Sequence, residues 1–128
     1  EGNDCLVLKA SDDVVCGVAL INQAQKLHYQ RWGECLLLDW THRTNHLGWH
    51  LGELMVTGGH GKGLSVCEMI VADQKKETMR QCVQFFKDHV GANITETFVI
   101  DKDFQEWDVL EEIYPEAKVL LCQFHALT

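Results

Sequence analysis

The chain has 128 residues, is 46% hydrophobic and carries a net charge of −8, with 11 Lys and Arg against 19 Asp and Glu. That length suits one domain, large enough to bury a core without staples. The acidic balance argues against a stand-alone nucleic-acid binder, because phosphate contacts need clustered Lys and Arg, and leaves open DNA contact through basic flanking domains of a full-length protein.

Residues 6–10 and 14–21 are apolar runs separated by Ser11, Asp12 and Asp13, which predicts a hairpin. Residues 23–31 are polar apart from a few positions such as Leu27 and Tyr29, and read as a short helix or a connection. Residues 34–41 form the next strand, Asn45 and Gly48 mark a turn, and residues 49–57 and 64–72 are two further strands joined by the glycine-rich stretch 58–63. A helix follows, with Asp73 as its N-cap, with Met79, Cys82, Val83, Phe86 and Val90 on one face, and with Gly91 as its stop. Residues 97–101 are a short buried strand. Phe104, Trp107, Leu110 and Ile113 mark a second amphipathic helix, which ends before Pro115, and residues 118–124 are the last strand.

The predicted fold class is α/β. A three-strand meander is followed by helix, strand, helix, strand, and the strands separated by helices pair in parallel through crossovers. Right-handed crossovers place the 97–101 strand beside the 34–41 strand, which is the ribonuclease-H-like order of a mixed sheet, here with an extra N-terminal hairpin. The expected division is 1–33 for the hairpin and connection and 34–128 for the core. The chain reads as an excised domain, truncated before the last helix of that order.

Of the six cysteines, none forms a C-x-x-C pair and most lie in apolar runs, where free thiols act as small hydrophobes. No signal peptide or membrane-length apolar segment is visible. A reducing, intracellular compartment is therefore expected, the sequon at Asn93 is idle, and nothing points to a membrane partner.

Asp39 follows Cys35, Leu36, Leu37 and Leu38, and Asp101 follows Phe98, Val99 and Ile100. An acid closing so apolar a run is expected at the end or edge of a buried strand. Two such acids on neighbouring strands can hold Mg²⁺ or Mn²⁺ for phosphoryl transfer; the plainer alternative is that each merely ends its strand. Asp103 is a substitute ligand or, more simply, the N-cap of the helix at Phe104. Cys122 and His125, three residues apart, can reach one zinc, with His60 and Cys67 as further candidate ligands; the alternative is a buried cysteine beside a polar strand-end histidine. His42, His46 and His50 recur at steps of four, but a strand and turn context scatters them. Gly58 and Gly63 have the outer spacing of a phosphate loop, yet Leu64 and Ser65 stand where that loop needs Lys and Ser or Thr. Trp32, Trp40, Trp49 and Trp107 read as core or rim aromatics, with base stacking as the alternative.

The stretch from Leu36 through Asp39, Trp40, Thr41, His42, Arg43 and Thr44 to Asn45 resembles the first-aspartate motif of Mutator-like (MULE) transposases. Phe98 to Asp103 looks like their second-aspartate motif, and Pro115 to His125 resembles the strand carrying their Cys-x-x-His signature. The match runs from about residue 35 to the end of the chain, and its wording is most similar to the SWIM zinc-finger-containing proteins, which carry a transposase-derived domain of this kind. The resemblance implies a ribonuclease-H-like fold and makes Asp39 and Asp101 the first two metal-binding acids. It places a third acid on a later helix and a SWIM zinc finger downstream. It also implies a domesticated module of a nuclear zinc-finger protein that binds DNA or protein without catalysis. The alternative is metal-dependent DNA cleavage and strand transfer by an acidic triad.

Overall fold

The computed structural model of the chain describes residues 2–44, 48–100 and 104–121, the side chains of 41–44 and 104 excepted. The elements are β1 (Asp4–Lys9), β2 (Val15–Ile21), α1 (Gln23–Trp32), β3 (Cys35–Thr44), β4 (His50–Thr57), β5 (Gly63–Val71), α2 (Lys76–His89), β6 (Thr97–Ile100), α3 (Phe104–Ile113) and β7 (Lys118–Leu121). The strands form one mixed sheet in the order β1-β2-β5-β4-β3-β6-β7. Strand β6 runs parallel to β3 and β7, and every other pairing is antiparallel.

The predicted hairpin is β1–β2. Its turn is closed by Asp12, which accepts a hydrogen bond from the Val14 amide, and by Asp13 at φ 68°. The hairpin adds to the edge of the meander, β2 pairing with β5 from Gly17 opposite Val71 to Leu20 opposite Glu68. Beyond Ile21 the chain leaves the sheet and forms α1, started by a capping box: Asn22 accepts from the Gln25 amide and the Gln25 side chain accepts from the Asn22 amide, both at 2.8 Å. Helix α1 packs on β5 and β4, where β2 has already ended.

Alternate strand residues point into the core, as a half-buried strand requires. Leu36, Leu38, Leu54, Cys67, Phe98 and Ile100 are buried on the face that the helices cover. Helix α2 adds Met79, Cys82, Val83 and Phe86, the helical face expected from their spacing. The N-cap differs from expectation: it is Lys75, not Asp73. The Asp73 carboxylate instead accepts from the Thr78 hydroxyl at 2.7 Å and the Lys75 amide at 2.9 Å, so it closes the turn that leads into the helix. Those bonds, the one from Thr78 first, hold its carboxyl below the usual range. Gly91, at φ 105°, takes the left-handed conformation that stops the helix.

Tyr29 ties the layers together. Its ring meets Phe86 edge-on at 5.3 Å, and its hydroxyl contacts Thr95 (2.6 Å) and Asn93 (3.3 Å) and accepts from the Ile94 amide (3.1 Å). Tyr29→Phe is expected to cost about 1 kcal/mol, because it removes the hydroxyl's bonds to half-buried partners without opening a cavity. Urea denaturation gives the loss, and amide exchange at Ile94 should quicken; unchanged exchange there would contradict the assigned bond.

Candidate functional site

Asp39 lies within β3, directly after the buried Leu38, and short of the strand's end, since β3 continues to Thr44. Regular pairing with β4 reaches Trp40 opposite Gly52, then becomes irregular before Thr44 opposite His50. The acid therefore sits where the ladder loosens, its side chain exposed. On its other side β3 pairs with β6, Leu38 lying opposite Ile100, so the strands that precede the two acids in sequence are hydrogen-bonded neighbours. Asp101, Asp103, Cys122 and His125 lie outside the described residues, as does His46.

The cross-strand partner of Asp39 is Glu53, and that of Glu53 on the far side is Glu68. Three carboxylates thus stand in one row on β3, β4 and β5, on the sheet face opposite the buried Leu38, Leu54 and Cys67. Like charges directly opposite each other are unfavourable by roughly 0.2–1 kcal/mol per pair. Gln25 donates to Glu68 at 3.2 Å, which is a neutral partner. Among the described residues none of the three acids pairs with a Lys or Arg. Such oxygen donors suit a hard divalent cation, although among the described residues no three His, Cys, Asp or Glu are grouped to hold a metal ion.

The sequence reading missed Glu53 and Glu68 because only register brings them beside Asp39. It also missed Glu106, an acid 5% exposed in the first turn of α3. Helix α3 starts just after β6 ends, so that turn lies at the end of the sheet towards which β3 runs past Asp39. The signal was present: Glu106 precedes Val109, Leu110 and Ile113 at inward helical spacing, and an acid at such a position is unusual. The positive end of the helix dipole favours its charge.

Trp40 is half-buried and lies on Gly52, where a Cβ would stand 2.4 Å from its ring. Trp32 and Trp107 pack against the core. His42 falls within β3 and His50 opens β4, so no helix joins them. His60 is exposed in the β4–β5 connection, whereas Cys67 is fully buried beneath the helices. Cys5, Cys16, Cys35, Cys67 and Cys82 are free, and burial pushes the Cys82 thiol up to about 12 and that of Cys67 further, so both stay protonated at neutral pH. Among the described residues no helix is long and apolar enough to cross a membrane.

Comparison with known proteins adds to this geometry. The family described as "Zinc finger SWIM domain-containing protein 1/3, RNaseH-like domain" matches residues 1–120. The chain is also similar to a PKS-NRPS hybrid synthetase, cheA, of Chaetomium globosum: 29% identical over 97 residues, which cover 73% of this chain and 2% of the synthetase. No solved structure matches.

Proposed function

Because the chain belongs to the RNaseH-like domain family of zinc finger SWIM domain-containing proteins 1/3, we propose that it is a domesticated, transposase-derived module that binds DNA or protein and does not cut. One observation carries this reading: the acids of the sheet face turned away from the core are spread along a row, Asp39, Glu53 and Glu68, on three successive strands. A row extended over three strands suits a macromolecular surface better than a single ion. Together with the net charge of −8 it favours a protein partner at this domain, with DNA contact left to other parts of a full-length nuclear protein.

The second reading is a DNA-cutting and strand-joining enzyme, and the pairing of β3 with β6 favours it. Asp39 and Asp101 would hold Mg²⁺ or Mn²⁺, which when bound supplies Lewis-acid stabilisation of a phosphodiester. The chain's own contribution is positioning, since the segments just before both acids, Cys35–Leu38 and Thr97–Ile100, pair in one parallel ladder. A zinc ion held by Cys122 and His125, or in a downstream domain, is compatible with either reading and would be structural.

The full-length protein, incubated with DNA and Mg²⁺ or Mn²⁺, distinguishes the two. We expect no cleavage above the metal-free background, and the same result for Asp39→Asn and Asp101→Asn. Robust cleavage that both substitutions abolish would overturn the binding-only reading and establish the acids as catalytic.

A further inference from the structure

A cavity of about 400 Å³ lies at the end of the sheet where the parallel strands β6 and β7 begin. This is the opposite end from Asp39, because β3 runs in the same direction as β6 and starts beside its first residue. The last turns of α2, the connection into β6 and the connection from α3 to β7 form the walls. Lys87, Ile94, Thr95, Glu96, Tyr114 and Glu116 are among the lining residues. The size suits a small molecule, and the lining mixes charges of both signs with hydroxyls and apolar surface.

The walls are held in place. The Tyr29 hydroxyl contacts Thr95 at 2.6 Å and accepts from the Ile94 amide at 3.1 Å. The Ala117 amide donates to the Tyr114 carbonyl at 3.1 Å, and the Lys118 amide to the Glu96 carbonyl at 2.9 Å. The Lys87 ammonium donates to the Ile113 carbonyl at 2.6 Å and lies 4.9 Å from the centre of the Tyr114 ring. An ammonium carries three donors, so others remain for a ligand. Two observations ask for one. Lys87, Glu96 and Glu116 line the same cavity, yet among the described residues none of them forms an ion pair. Tyr114 is 2% exposed, and its hydroxyl has no hydrogen-bond partner among the described residues. Buried polar groups rarely stay in that condition.

The geometry points to a binding site for a free, zwitterionic α-amino acid with an aliphatic side chain. Its carboxylate takes the remaining donors of Lys87 and the Tyr114 hydroxyl, its ammonium lies towards Glu96 and Glu116, and its side chain rests on Ile94. A ligand with both charges a few bonds apart satisfies a cation and acids that share a cavity without pairing. An anion alone, such as phosphate, would meet two carboxylates, and a cation alone would meet Lys87. Because the walls are already fixed, little ordering opposes binding. The site is separate from the acidic row and stands or falls apart from the interaction-module reading.

Equilibrium dialysis of labelled L-leucine against the full-length protein tests the assignment. N-acetyl-leucine, which lacks the ammonium, and leucinamide, which lacks the carboxylate, serve as competitors. Leucine is expected to bind saturably and at least about ten-fold more tightly than either analogue, because each analogue loses a charge-assisted hydrogen bond. Tyr114→Phe should weaken leucine by about five-fold. Glu116→Lys, at an exposed position, should weaken leucine by about ten-fold and tighten N-acetyl-leucine, an exchange that unfolding cannot mimic. Absence of saturable leucine binding, equal binding of leucine and its analogues, or no exchange of preference in Glu116→Lys would each overturn the proposal. Cleavage of DNA is read in a separate assay at the other end of the sheet, so failure here leaves the non-catalytic reading standing.

Discussion

Phe86→Ala is expected to remove about 3–5 kcal/mol from the stability of the fold. The ring is fully buried in α2, and its edge-on contact with Tyr29 joins α2 to α1. Two losses combine. Truncation opens a cavity that the surrounding β-strands cannot collapse into, and it removes an aromatic pair worth about 0.5–1.5 kcal/mol beyond its buried area. Since domains of this kind have only about 5–15 kcal/mol in total, much of the margin goes. Chemical denaturation measures the change through its midpoint, with an unchanged slope. Phe86→Leu, which keeps most of the volume, should cost far less. A loss under about 1 kcal/mol for the alanine variant would mean that α2 does not pack on α1 as described.

Gly52→Val should be the most disruptive change near the candidate site, costing about 3 kcal/mol. The indole of Trp40 occupies the space a side chain at position 52 would need: a Cβ there meets Cε3 at 2.4 Å and Cζ3 at 2.5 Å. Neither strand can yield easily, because Trp40 and Gly52 are direct cross-strand partners in the centre of the sheet. The ring must swing out, and it is the residue after Asp39, so the strain falls on the acid's own backbone. Tryptophan fluorescence reports the displaced ring. Combining Gly52→Val with Trp40→Ala removes the collision, and the double variant should be more stable than the sum of the single losses predicts, by up to about 3 kcal/mol. Strict additivity would show that the ring does not rest on Gly52.

How far the sequence could be read is seen best in particular elements. Helix α2 was legible because its five apolar positions repeat at the helical period. Its start was not, since Asp73 is a good capping residue that here closes the preceding turn. Helix α1 reads from sequence as either helix or connection because only Gln25 and Tyr29 are fully buried, with Trp32 packing on the core at its end; the Asn22-x-x-Gln25 spacing of a capping box was the signal available. The hairpin was predicted, but not its docking on β5, since nothing local in residues 6–21 selects an edge. At the site, the neighbouring strands of Asp39 and Asp101 followed from element order, while Glu53, Glu68 and Glu106 did not.

The sequence by itself determined the kinds of element, their order and the two acids that follow apolar runs, because side-chain periodicity is a local property of the chain. The motifs around Asp39 and Asp101 likewise pointed to the family that residues 1–120 match. Only the tertiary structure decided which side chains share a row. Strand register joins residues far apart in sequence, Asp39 with Glu53 and Glu53 with Glu68. A shift of one residue would send each acid to the opposite face, so neither composition nor spacing encodes the row those acids form.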